Sequence, residues 1–271
     1  MLGRPRRLSF GSALGPVLVA LLLAAGACGD SGESSGARPK AAPSTTVPRA
    51  TLTVLAAASL TDAFTQLGQA FEAARPGTKV TFSFGASSSL ATQANEGAPA
   101  DLMASADEAN LQKVVDAGNA SAPSVFARNR LAILVAKGNP KGIRTLSDLA
   151  RPGMDFVLCA PEVPCGKFGA QTLAKAGVVA KPRSYEENVK AVVTKVTMGE
   201  ADAGIVYVTD VKAAGDRAEG VDIPDAQNVV AVYPMAVLRQ SGQPQLARAF
   251  LDYVLSPAGQ QVLARYGFLP A

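Results

Sequence analysis

Residues 51–71 read TLTVLAAASLTDAFTQLGQAF, and their hydrophobic period changes part-way along. Thr51-Leu52-Thr53-Val54-Leu55 is a short apolar strand, Ala56-Ala57-Ala58-Ser59 a turn of small residues. From there Leu60, Phe64, Leu67 and Phe71 recur at spacings of three and four, the signature of one helical face. Pro76-Gly77 stops that helix, and residues 79–84 (KVTFSF) make the next strand. Strand, helix and strand in this order predict parallel pairing, and so an α/β sheet.

Outward from this unit the alternation continues. Residues 85–89 turn into a short helix at 90–96, and residues 131–136 (LAILVA) and 156–159 read as buried strands. Val189, Val192, Val193 and Val196 give a helix its apolar stripe, followed by a strand at 204–208 (GIVYV). Residues 229–238 read as extended chain, and 246–266 as helix broken at Ser256-Pro257. No internal repeat is visible. A chain of 271 residues with 48% hydrophobic content can bury one large core or two lobes of about 100 residues each.

The N-terminus reads differently. Arg4, Arg6 and Arg7 precede an apolar stretch at 17–25 and then Ala25-Gly26-Ala27-Cys28, with no acid before Cys28. This is the layout of a secretory signal peptide over residues 1–27. The apolar run is shorter than the roughly 20 residues a membrane helix needs, and no other segment approaches that length, so a soluble mature protein is expected. The Ala-Gly-Ala-Cys stretch resembles a lipobox without its usual Leu, which predicts lipid on Cys28 and anchorage at the outer face of the cytoplasmic membrane; a plain cleavage site is the alternative. Arg6-Arg7 fits a twin-arginine signal or an ordinary basic leader equally. Residues 28–49, rich in Gly, Ser, Ala and Pro, read as a flexible tether.

Composition excludes several functions. The leader carries 3 of the 26 basic residues, which leaves 23 against 22 acids and argues against a nucleic-acid partner. The chain has no histidine, so neither a Ser-His-Asp nor a Cys-His nucleophile pair can form, and the commonest ligand for zinc, copper or iron is missing. Without tryptophan it lacks the best stacking platform for a sugar.

Two strand-to-helix turns carry small hydroxyl residues, at Ser59 and at Ser87-Ser88-Ser89. Serine at such a turn suits a helix N-cap. Paired turns of this kind also aim free backbone N–H groups beside the positive ends of two helix dipoles, which makes an anion site. Tyr207, alone, is as well explained as a core residue on an apolar strand. Cys159 and Cys165 are either buried free thiols or, in an oxidising compartment, a disulfide.

Taken in order, Ala56-Ala57-Ala58-Ser59-Leu60, Phe84-Gly85-Ala86-Ser87-Ser88-Ser89-Leu90-Ala91, Gly97-Ala98-Pro99-Ala100-Asp101-Leu102, Ser105-Ala106-Asp107, Pro161-Glu162-Val163-Pro164, Gly204-Ile205-Val206-Tyr207 and Arg265-Tyr266-Gly267-Phe268 resemble the periplasmic molybdate-binding proteins of bacterial ABC importers. The resemblance runs over residues 51–270. It implies a two-lobed periplasmic-binding-protein fold of type II, each lobe a sheet flanked by helices, with two hinge strands near 130–136 and 232–238. Lobe I would hold 50–130 plus 238–271, and lobe II 131–237. It further implies a monomer without cofactor or catalysis that captures molybdate or tungstate, whose molybdenum would be the only metal, and passes it to a membrane permease. Carried over by motif, the ligand donors are the hydroxyls of Ser59, Ser87 and Tyr207 and the backbone at Cys165 and Val189. The family usually has alanine where this chain has Cys165, a change that spares a backbone N–H. Sulfate is the alternative ligand. A secreted serine hydrolase using Ser87, Ser88 or Ser89 with a lysine base is the alternative from another class, disfavoured by the absence of a Gly-x-Ser-x-Gly elbow.

Overall fold

A computed structural model describes residues 50–271. The leader at 1–27, Cys28 and the tether at 28–49 lie outside the described residues.

The opening unit folds as its periodicity dictates. Strand β1 (Ala50–Ala57) pairs in parallel with β2 (Thr78–Gly85), and α1 (Thr61–Ala74) crosses between them with Phe64, Leu67 and Phe71 buried. A single 3-10 turn, Ala58–Leu60, joins β1 to α1 and holds Ser59. Helix α2 (Ser87–Asn95) starts three residues earlier than expected, so Ser87 opens the helix rather than preceding it. Strand β3 (Leu102–Ala104) lies parallel to β1 on its other side, and α3 (Glu108–Asp116) follows, capped by the Asp107 carboxylate. Gly77, at φ 89°, makes the left-handed turn that a side chain would strain.

The long strand β4 (Ser124–Ala136) organises the rest. Its first half pairs antiparallel with β9 (Val230–Val237), and its second half, from Leu131, with β7 (Ala203–Tyr207) and β8 (Ala218–Asp222). One strand therefore belongs to two sheets. The first runs β2, β1, β3, β9, β4; the second continues β4, β7, β5 (Phe156–Cys159), β6 (Ser184–Glu186), with β8 also on β4. At the changeover, Asn228 acts as a stand-in strand: its Oδ1 accepts from the Leu131 N–H at 3.0 Å and its Nδ2 donates to the Leu131 carbonyl at 2.8 Å.

The expected second lobe, 131–237, counts the hinge strand at 232–238 within it; that strand, β9, pairs with β3 and the first half of β4 along its length and so lies in the first sheet. The chain returns at Asn228, not at 238. Helices α7 (Pro244–Leu255) and α8 (Pro257–Arg265) then cover the first sheet, with the break where Ser256 ends one and caps the next. Phe64, Phe71, Phe82, Phe126 and Phe250 meet edge-on or tilted at 5.2–6.3 Å between these layers. In the second half, α4 (Pro164–Lys175) follows β5, α5 (Val189–Thr197) follows β6 and α6 (Val208–Ala214) follows β7.

Candidate functional site

Where the strands of an α/β sheet end at their carboxyl side, the following turns and helix starts face a common crevice. Here β1, β2, β5, β6 and β7 all end at one small cavity. It is lined by Ala57, Ala58, Ser59, Gly85, Ala86 and Ala106 from the first half, and by Val163, Pro164, Cys165, Asn188, Val189 and Tyr207 from the second. Its enclosed volume is only about 10 Å³, roughly what one water needs and far below the roughly 300 Å³ at which sites for drug-sized ligands begin, so it leaves no room for an organic ligand.

No lining residue is charged. What the walls offer is donors. The helix starts at Ala57, Ala86 and Val163 carry no side-chain cap, whereas α3 and α5 are capped by Asp107 and Asn188. An apolar residue at the N-cap leaves the first N–H groups of the helix free for a ligand, at the positive end of its dipole. Alanine and glycine on these turns carry no side-chain atom beyond Cβ, so a ligand can approach the backbone. The serines are thus not the N-caps that each would suit when read alone.

Four of the residues singled out from the sequence, Ser59, Cys165, Val189 and Tyr207, line this cavity. Ser87 stands beside it through Ala86, is 1% exposed, and accepts the Ala106 N–H on its Oγ at 2.9 Å. Tyr207 is 1% exposed, and its hydroxyl is buried with no hydrogen-bond partner. A buried donor left unmet costs about 1–3 kcal/mol, so an acceptor brought to it in the cavity would be stabilising. Burial first, then the neighbouring Tyr233, Asp210 and Asp107, pushes the Tyr207 hydroxyl well above the ordinary phenol range, so it stays a donor at neutral pH.

Cys159 and Cys165 form a disulfide that ties the end of β5 to the first turn of α4. A loop of this size contributes about 2 kcal/mol. Gly166, next in the helix, lies so close beneath the carbonyls of Cys159 and Ala160 that a Cβ there would overlap them.

Charges stand one layer out. Lys190 of α5 reaches Asp62 of α1 at 2.8 Å and Asp210 of α6 at 3.4 Å, and Lys167 of α4 reaches Asp107 at 3.5 Å. Both lysines join the second half to the first across the cavity's flanks. Burial pushes Asp210 up from 3.8 to about 6, although Lys190 and the Tyr207 N–H pull it down. The folded protein therefore holds a proton between about pH 4 and 6 that the unfolded chain has released, so stability falls as pH rises through that window. The loss is on the order of 3 kcal/mol above pH 6. Asp210→Asn is expected to flatten this slope and raise the melting temperature at pH 8; a lower melting temperature there would disprove the buried-charge cost.

Tyr233 and Asn129, behind Ser59, were not singled out from the sequence; pairing of β4 with β9 brings them together, and no local pattern signals it.

A model of the bacterial extracellular solute-binding proteins matches residues 52–269. The chain belongs to that family. It is 45% identical over 255 residues, 93% of this chain and 95% of the relative, to the molybdate-binding protein ModA of Mycobacterium tuberculosis (strain ATCC 25618 / H37Rv). It is 30% identical to the ModA of Escherichia coli (strain K12), over 80% of this chain and 88% of that one. The sulfate-binding protein SubI of Mycobacterium tuberculosis H37Rv shares the fold, with a TM-score of 0.75 at 24% identity over 82% of this chain and 87% of its own. The family is a solute-binding component of transporters and not a family of enzymes.

Proposed function

We propose that this solute-binding protein captures molybdate, and equally tungstate, in the cavity between its two halves and delivers it to an ABC permease. The observation that carries this reading is the unpartnered Tyr207 hydroxyl in a small, uncharged cavity walled by uncapped helix starts. Near neutral pH molybdate is a dianion whose four oxygens only accept hydrogen bonds. The hydroxyls of Ser59, Ser87 and Tyr207 and the backbone N–H groups at Cys165 and Val189 meet it as donors. Protonated phosphate would bring an O–H with no acceptor to receive it.

Charge-assisted hydrogen bonds contribute about 1.5–3 kcal/mol each. Half a dozen support micromolar or tighter binding, about 8 kcal/mol, after ordering and desolvation costs. The Lys190–Asp62 and Lys167–Asp107 pairs close the flanks, and β4 with the return at Asn228 is the hinge about which the halves, 50–130 with 229–271 and 131–228, part and close. The protein acts as a monomer without cofactor, catalysis or nucleic acid, is exported by the signal at 1–27, and is anchored by lipid on Cys28 through the tether.

Isothermal titration of the purified protein with molybdate, tungstate, sulfate and phosphate tests this. One-to-one binding of the two larger anions, with sulfate and phosphate at least tenfold weaker, is the expected result. Sulfate binding best, which the shared fold of the sulfate-binding protein keeps as the competing reading, would overturn the molybdate assignment.

A further inference from the structure

The obligate donors beside Ser59 favour one direction for the hydroxyl protons around it. The Arg130 N–H donates to Asn129 Oδ1 at 2.9 Å. A backbone N–H cannot accept, so this bond fixes the amide and turns Asn129 Nδ2 toward Thr209 Oγ1, at 2.9 Å, and the Tyr233 hydroxyl, at 3.5 Å. Nδ2 only donates. The Tyr233 oxygen is thereby an acceptor toward Asn129, and Ser59 Oγ, at 2.9 Å, is the short contact to which its own proton can go, in a bond that either hydroxyl could donate. With Tyr233 as the donor, Ser59 Oγ accepts, and its own hydrogen is left to point into the cavity that Ser59 lines. Ser87 is set the same way by the Ala106 N–H.

We propose that Tyr233 is a positioning and specificity-determining residue: held by Asn129, it donates to Ser59 Oγ, which turns the Ser59 proton toward the ligand and leaves the oxygen a poorer acceptor for an oxyanion that carries a proton. This deepens the oxyanion reading of the cavity and rests on it. Tyr233 is fully buried, and Asn129 likewise, so water does not compete for these bonds. The ring of Tyr233 packs edge-on against Tyr207, Phe126 and Phe268 at 5.5–6.2 Å, contacts that phenylalanine keeps. Removal of the hydroxyl therefore isolates the relay from the packing. It frees Ser59 to turn and to receive a ligand proton.

The test is titration of wild type, Tyr233→Phe, Ser59→Ala and the double variant with molybdate, and with phosphate in competition. Tyr233→Phe is expected to weaken molybdate about tenfold and to make phosphate at least tenfold better relative to molybdate. In the Ser59→Ala background the same change should alter molybdate affinity less than twofold, because the relay acts only through Ser59. Losses that simply add, or an unchanged phosphate-to-molybdate ratio, would overturn the proposal. A wild-type protein that binds no tetrahedral oxyanion would instead defeat the underlying reading, before any variant is compared. If Tyr233→Phe fails to fold, proton NMR of the wild type decides: a slowly exchanging Tyr233 hydroxyl proton with cross-peaks to the Ser59 β protons is expected, and cross-peaks to Asn129 alone overturn the direction assigned.

Discussion

Ser59→Ala combined with Ser87→Ala is expected to weaken molybdate binding by a hundredfold or more. In the proposed site each substitution removes one charge-assisted hydrogen bond to the ligand, about 1.5–3 kcal/mol, and every 1.4 kcal/mol is a factor of ten. The pair sits on different turns, after β1 and after β2, so the losses should be close to additive. A structural cost accompanies them. Ser59→Ala strips the Tyr233 hydroxyl of its partner and Ser87→Ala leaves the Ala106 N–H unmet, about 1–3 kcal/mol each. Calorimetry beside titration separates the two: affinity should fall in protein that is still fully folded at the temperature of the titration. An affinity within threefold of wild type would show that the serines do not touch the ligand.

Gly166→Ala is expected to be among the most destabilising single changes in the chain. Its Cβ would overlap the carbonyl oxygens of Cys159 and Ala160, and neither can give way readily. Cys159 is held by its disulfide to Cys165, and the Ala160 carbonyl accepts the Val163 N–H at 2.9 Å. Overpacking against fixed backbone costs about 3 kcal/mol, and in a domain of this size each kcal/mol lowers the melting temperature by roughly 2–4 °C. A fall of roughly 6–12 °C by scanning calorimetry is the expected reading, with ligand affinity reduced as well because the Cys165 N–H moves with the turn. A melting temperature within 2 °C of wild type would mean that the loop between β5 and α4 relaxes freely.

The sequence made the first α/β unit legible because its signals are local. The period change after Leu55 and the stop at Pro76-Gly77 define β1, α1 and β2 with no reference to the rest of the chain. Residues 131–136 announced a buried strand, but 124–130 (SVFARNR) alternate too irregularly to show that the same strand begins there and serves a second sheet. Helix α4 left little trace, since its buried face is built from Cys165, Gly166, Phe168, Gly169, Thr172 and Leu173, a mixture without an aliphatic stripe. The place of β9 is a matter of long-range pairing, which hydrophobic pattern does not encode. Among the candidate donors, hydroxyls on turns were legible by type and by their resemblance to family motifs. Asn129 and Tyr233 were not, because they lie 104 residues apart and neither lines the cavity.

The uncharged wall of the cavity has a kinetic side. A site ringed by lysine or arginine draws an anion in by its field, and its association rate then falls steeply with ionic strength. Here the nearest lysines, Lys190 and Lys167, are spent on Asp62, Asp210 and Asp107, and the cavity presents only fixed dipoles whose pull fades within a helical turn. In the proposed mode of binding, capture depends on chance encounter followed by closure, and retention on how often the two halves part. A protein built this way surrenders speed of arrival and gains indifference to the salt around it, which suits a collector that works outside the cell, where ionic strength is not under the cell's control.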